Sequence, residues 1–230
     1  MLKVENLNVA YGQSHIVHDV SFEVKPREIV AVMGRNGMGK STLLKCLIGM
    51  VPPKSGKVEV NGTDVTFLES YRHVENGIAF VPQERHVFSN LTVEENIRAG
   101  LRIKEHWVQL RTEVYSIFDV LCKMRGRKAG NLSGGQQQQL AIARALVAEP
   151  RVLILDEPTE GIQPSIIKDL ARQINDLKLS KDLAIVVSEQ VLSFTIDIAD
   201  KMYVIESGRF VREDTRGNFD VEKITSYLSV

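Results

Sequence analysis

Apolar and polar residues alternate along the first part of the chain. Leu2, Val4, Leu7 and Val9 are spaced like one face of an edge strand, and Val20, Phe22 and Val24 continue the pattern after a turn at Tyr11 and Gly12. An N-terminal antiparallel sheet is expected from these two segments. Ile29 to Met33 then breaks the alternation, and an unbroken apolar run with β-branched residues reads as a strand buried on both faces, as in a parallel sheet. Val152 to Leu155 and Leu183 to Val187 are runs of the same kind. Between them Ile166, Ile167, Leu170, Ile174 and Leu177 recur at helical spacing, so strand and helix alternate as in an α/β core.

Residues 84–148 carry no strand pattern. Thr92 with Glu95 three positions on announces a helix through a capping box. Trp107, Leu110, Val114, Ile117, Phe118 and Leu121 then form a stripe at helical spacing that ends near Gly126, and such a stripe is more often core than a binding face. The expected organisation is one domain. Residues 1–83 and 149–230 form an α/β core with an N-terminal antiparallel sheet, and residues 84–148 form an inserted helical subdomain. No internal repeat is visible, and Gln136 to Gln139 is too short to be a low-complexity tract.

Composition narrows the function mainly by exclusion. Lys plus Arg and Asp plus Glu both number 29 in 230 residues, so the basic footprint of a dedicated nucleic-acid binder is missing. The first residues lack the apolar centre of a signal peptide, and no stretch has the length of a membrane-spanning helix, so a cytoplasmic protein is expected. Cys46 and Cys122 are far apart and flanked by apolar residues, which favours buried thiols over a disulfide or a zinc site. His15, His18, His73, His86 and His106 show no ligand-like spacing.

The candidate chemistry begins directly after the first buried run. Gly34-Arg35-Asn36-Gly37-Met38-Gly39-Lys40-Ser41-Thr42 fits a phosphate loop, in which glycines let several backbone N–H groups converge on one phosphate. A helix starting near Ser41 would add the positive end of its dipole. Lys40 is placed to bridge β- and γ-phosphates, and the Ser41 hydroxyl to ligate Mg²⁺. A glycine turn with a surface lysine could share these letters, but the strand-loop-helix context argues against it.

The run Val152-Leu153-Ile154-Leu155 ends in Asp156-Glu157, two carboxylates at the carboxyl end of a buried strand, where open α/β sheets bind ligands. Asp156 can hold Mg²⁺ and Glu157 can orient and deprotonate an attacking water. Many strands end in a solvated acid, and it is the pairing with the phosphate loop that gives this one meaning. Leu132-Ser133-Gly134-Gly135-Gln136 precedes a further helix with Ser133 as its N-cap. A serine and glycine amides at a helix start make a second anion-binding surface, so one chain offers two half-sites.

Together GRNGMGKST, the glutamine of FVPQ, LSGGQ and LILDEP, in this order over essentially the whole chain, resemble the ABC ATPase family. The resemblance implies that two subunits meet head to tail, with each ATP between one phosphate loop and the other subunit's LSGGQ. Ser133 and Gly135 would then act on the partner's γ-phosphate, with Gly134 and Gln136 in the same lid. It also implies that Tyr11 stacks on adenine and that Gln83 joins γ-phosphate and Mg²⁺ to the helical subdomain. Lys40, Glu157 and Gln190 are the expected catalytic set, with ATP and Mg²⁺ as ligands and Ser41, Gln83 and Asp156 around the metal.

Two positions depart from the family pattern. Its switch histidine is replaced by Gln190 in Val187-Ser188-Glu189-Gln190, and the aspartate expected after DEPT is absent from Glu160-Gly161-Ile162-Gln163-Pro164. A glutamine donates a hydrogen bond but carries no titratable charge. With PTEGIQPS, these departures resemble the ATPases of branched-chain amino acid and of urea or short-chain amide uptake, closest to the shorter ATPase of the urea systems. The implied partners are a second ABC ATPase subunit, two transmembrane permeases at the cytoplasmic face of the membrane and a solute-binding protein, with no nucleic acid. The competing readings are a non-transport ABC ATPase acting on nucleic acid or in translation, and the motor of a lipid or lipopolysaccharide exporter. Repair-type ATPases place a long coiled coil between the phosphate loop and LSGGQ, and Lys40 and Ser133 lie too close for one.

Overall fold

A computed structural model describes residues 2–229. In chain order the elements are β1 (Leu2–Tyr11), β2 (Ser14–Val24), β3 (Ile29–Met33), α1 (Lys40–Leu47), β4 (Ser55–Val60), β5 (Thr63–Asp64), α2 (Ser70–Glu75) and β6 (Ile78–Val81). They continue as α3 (Val93–Ala99), α4 (Trp107–Ile117), α5 (Asp119–Lys123), α6 (Gly134–Leu146), β7 (Val152–Asp156), α7 (Pro164–Ser180), β8 (Ala184–Glu189), α8 (Leu192–Ile198), β9 (Lys201–Glu206), β10 (Arg209–Thr215) and α9 (Val221–Leu228).

Two sheets result. The first is antiparallel with order β2-β1-β4-β5, and the second runs β10-β9-β3-β8-β7-β6, parallel throughout except for the β9–β10 hairpin. The expected N-terminal antiparallel sheet is present, but β1 is not its edge. Leu2 and Val4 pair with Val24 and Phe22 on one side and with Val60 and Val58 on the other. A strand in the middle of an antiparallel sheet can bury one face and leave the other polar, so alternation alone does not distinguish centre from edge.

The parallel sheet divides the core. Val30, Val32, Ile154 and Val186 face the first sheet and α1, while Ile29, Leu153, Leu155, Ile185 and Val187 face the helices. Successive residues of one strand thus serve opposite layers, which is why these segments are apolar without a break. Between Val93 and Leu146 the regular elements are helices, and Val93, Ile97, Leu110, Phe118, Leu121 and Leu140 join the same apolar cluster as Leu153 and Ile185.

The stripe expected as one helix is broken at Phe118, whose φ of −118° and ψ of 70° separate α4 from α5. The break turns the chain so that Phe118 and Leu121 are both fully buried. It also leaves Cys122 exposed, against the expectation of two buried thiols. Cys46 is buried as expected, and desolvation pushes its thiol up to about 12. Among the described residues no helix is long and apolar enough to cross a membrane.

Candidate functional site

The parallel order places the ends of β3, β8 and β7 side by side. The loop after β3 must make a sharp reversal before α1, and Gly37 and Gly39 adopt φ of 81° and 104°, open to glycine without steric cost. Gly34 is required for a different reason. A Cβ there would lie 2.6 Å from the Ile205 carbonyl oxygen on β9, so the loop packs against the sheet where no side chain fits. No side chain caps α1, which starts at Lys40 with its first amides directed to the loop.

Lys40 and Glu157 meet beneath this loop. Lys40 Nζ donates to the Gly34 carbonyl at 2.7 Å and the Arg35 carbonyl at 3.1 Å, and lies 3.1 Å from Glu157 Oε1. Glu157 has a left-handed backbone with φ of 44°, unusual for a residue with a side chain and found where a site constrains the chain. Its N–H donates to both the carbonyl and the hydroxyl of Ser188, each at 3.1 Å.

Asp156 Oδ1 accepts from Ser188 Oγ at 2.6 Å and from Ser41 Oγ at 3.2 Å. Burial pushes the Asp156 carboxyl above its usual range, and the two hydroxyls oppose that shift. Ser41 and Asp156 thus bring two hard oxygen donors together, the kind of set that suits Mg²⁺. Gln83 lies two residues beyond β6, half-buried, and is not hydrogen-bonded to either of them.

Gln190 joins the loop to the acid. Its Nε2 donates to Asn36 Oδ1 at 2.8 Å and to Glu157 Oε2 at 2.9 Å. The preceding Glu189 is buried without a cation, and every bond to its oxygens comes from a neighbouring N–H or hydroxyl. Oε1 accepts from Thr159 N at 3.0 Å and Thr159 Oγ1 at 2.6 Å, and Oε2 accepts from Gln190 N at 2.8 Å and Val191 N at 3.1 Å. Burial still holds its carboxyl above the usual range. Glu189 therefore ties the loop after β7 to the loop after β8.

The other candidates stand apart. Tyr11 ends β1 half-exposed, and the neighbouring strand β2 brings the Ile16 carbonyl to where a Cβ on Gly39 would be 3.2 Å away, so this hairpin flanks the phosphate loop. Ser133 is the N-cap of α6 in a full capping box with Gln136, and no hydrogen bond joins residues 133–136 to residues 34–42. Gly135 is buried, and a Cβ on it would lie 2.7 Å from Ile166 Cγ2. Its glycine identity is thus explained by packing on α7. The sequence reading missed Ser188, Glu189 and Thr159, and only the polar Ser188-Glu189 step closing an apolar run marks two of them.

A glycine turn between β3 and α1, acids at the end of β7 two strands away and a second capped helix start are the features of an ATP-hydrolysing phosphate-loop protein. The family model described as ABC transporter matches residues 17–160, and the chain belongs to that family. It is 40% identical over 217 residues to the high-affinity branched-chain amino acid transport ATP-binding protein BraG of Pseudomonas aeruginosa, covering 94% of this chain and 93% of that one. It is 32% identical over 219 residues to the lipopolysaccharide export system ATP-binding protein LptB of Haemophilus influenzae, covering 94% and 90%. A nucleotide-free ATP-binding cassette from an ABC transporter superposes with a TM-score of 0.87 at 26% identity, over 100% of this chain and 95% of that one. The protein is an ATPase of the ABC transporter family.

Proposed function

We propose that this subunit powers an importer of the branched-chain amino acid, short-chain amide and urea group, paired head to tail with a second ABC ATPase beneath two permeases at the cytoplasmic face of the membrane. A solute-binding protein would deliver the solute. The observation that carries the reading is the convergence of Lys40, Asp156, Glu157 and Gln190 on one loop, together with 40% identity to BraG across nearly the whole of both chains.

In this reading Tyr11 stacks on adenine, the amides of Asn36 to Thr42 cradle the phosphates, and Lys40 moves from Glu157 to the β- and γ-phosphates. Ser41, Asp156 and Gln83 would hold Mg²⁺, which would polarise the phosphoryl oxygens. Glu157, freed from Lys40 but still oriented by Gln190, takes the proton of the attacking water. Ser133 and Gly135 N–H of each chain close on the other chain's nucleotide. Residues 84–148 act as a subdomain that passes closure to the permeases.

Uptake of labelled leucine, short amides and urea by the subunit reconstituted with its permeases tests the assignment. Uptake of any of these that requires ATP and an intact Lys40 is expected. A complex that instead extracts lipopolysaccharide would support the second reading, for which the 32% identity to LptB speaks.

A further inference from the structure

Two residues past Gln83, Arg85 holds a left-handed backbone with φ of 63° and reaches two other segments. Its Nη2 donates to the Glu160 carbonyl in the loop leaving Glu157, and its Nε donates to Gln138 Oε1 on α6 at 3.3 Å. The guanidinium lies beside two glycines. A Cβ on Gly134, at the start of α6, would lie 3.4 Å from Arg85 Nη1 and 3.0 Å from the Gly161 carbonyl, and a Cβ on Gly161 would lie 3.5 Å from Arg85 Nη2.

The main chain at this point is fixed independently. Arg144, also on α6, donates to the Arg85 carbonyl at 3.1 Å and the His86 carbonyl at 2.8 Å. Backbone and side chain of one residue are therefore both committed to α6, while the side chain alone reaches residues 160–161. Gln138 is 2% exposed and its Nε2 has no hydrogen-bond partner among the described residues. A buried donor without a protein partner raises the energy of this arrangement relative to one in which it is satisfied.

We propose that Arg85 is a positioning residue that locks the Gln83 segment, the start of α6 and the loop after Glu157 into one moving unit. The inference rests on the reading above, in which Gln83 senses the nucleotide of its own chain and Ser133 closes on that of the other. Arg85 touches neither nucleotide. It makes the arrival of ATP at Lys40 and the presentation of Ser133 to the second subunit a single event, so its loss uncouples the two sites without emptying either.

The test uses the subunit reconstituted with its permeases, comparing Arg85→Met, Arg85→Lys and Gln138→Met with the unmodified protein. The readouts are ATPase kcat, KM and Hill coefficient, with binding of a fluorescent ATP analogue to each purified full chain. Arg85→Met is expected to lower kcat by about tenfold and bring the Hill coefficient toward one, with analogue affinity unchanged. Arg85→Lys, which keeps the charge and one donor, should recover part of the loss. Gln138→Met should shift kcat and Hill coefficient in the same direction, and it supplies the answer should Arg85→Met fail to fold. Unchanged kcat and cooperativity, or a loss traced to weakened analogue binding, would overturn the proposal. Failure of the unmodified protein to bind Mg·ATP would instead overturn the functional reading beneath it.

Discussion

The Lys40 ammonium lies 3.1 Å from Glu157 Oε1, and both side chains are almost sealed from solvent. An ammonium has three hydrogens, and the Gly34 carbonyl, the Arg35 carbonyl and Glu157 supply three acceptors. A phosphate can be gripped by Lys40 only by displacing one of them. In the proposed reading the general base and the phosphate-binding cation are therefore in competition, and nucleotide that displaces Glu157 from Lys40 would release the base.

Glu157→Gln should accordingly separate binding from turnover. Loss of the general base lowers steady-state ATP hydrolysis by about 100- to 10,000-fold. Affinity for Mg·ATP should be retained or increased several-fold, because the neutral amide competes less for Lys40. ATPase rates with titration of a fluorescent ATP analogue check both halves, and undiminished turnover would refute the role of Glu157.

Gln190 carries two hydrogen bonds through one amide, to Asn36 and Glu157. Gln190→Ala should reduce kcat by about tenfold or more, since the base loses its orientation. Gln190→His is the more informative change. An imidazole titrates near pH 6.5 where an amide does not, so the variant should show a limb in its pH–rate profile at about pH 6–7 that the unmodified protein lacks. Identical profiles from pH 5.5 to 9 would show that this position does not touch the reacting groups.

Gln190 is legible only through the family resemblance, and why Glu189 is not singled out follows from the range of the forces involved. Glycine spacing, acids after an apolar run and Ser133 before a helical pattern are local signals, and the structure has a left-handed glycine turn after β3, the end of β7 and the α6 cap where those signals stand. Glu189 acts through Thr159, and Arg85 through Glu160 and Gln138, partners distant in sequence that only the sheet order brings near. The interior position of β1 was hidden similarly, because its second neighbour β4 comes only after β3 and α1. At Phe118 the local pattern misled, since the apolar spacing continues through a bend that tertiary packing imposes.

Ser188 is fully buried and serves both acids, donating to Asp156 and accepting from the Glu157 N–H. Ser188→Ala removes both bonds and leaves that pair of acids less constrained. Stability should fall by about 1–3 kcal/mol, and the Mg²⁺ concentration that half-saturates ATPase activity should rise several-fold. Urea unfolding and Mg²⁺ titrations are the measurements. A variant with normal Mg²⁺ dependence would limit Ser188 to a packing role.

Glu189 makes a prediction about pH whose sign is opposite to ordinary acid denaturation. Burial raises its carboxyl above the usual glutamate range, so the folded chain holds this proton more tightly than the unfolded chain. Its contribution is then fully present below about pH 4 and is lost as pH rises through the folded value. Glu189→Gln abolishes this term but places an NH₂ group where one oxygen accepted two bonds, either from Thr159 or from the Gln190 and Val191 amides. The variant should therefore be less stable than the parent by about 1–3 kcal/mol near pH 5. The gap should narrow toward pH 8, as the parent alone bears the cost of an ionised, buried carboxylate. Urea midpoints at several pH values, at equal m, read this difference directly, and a gap that stays constant or widens with pH would show that Glu189 is not held above its unfolded value.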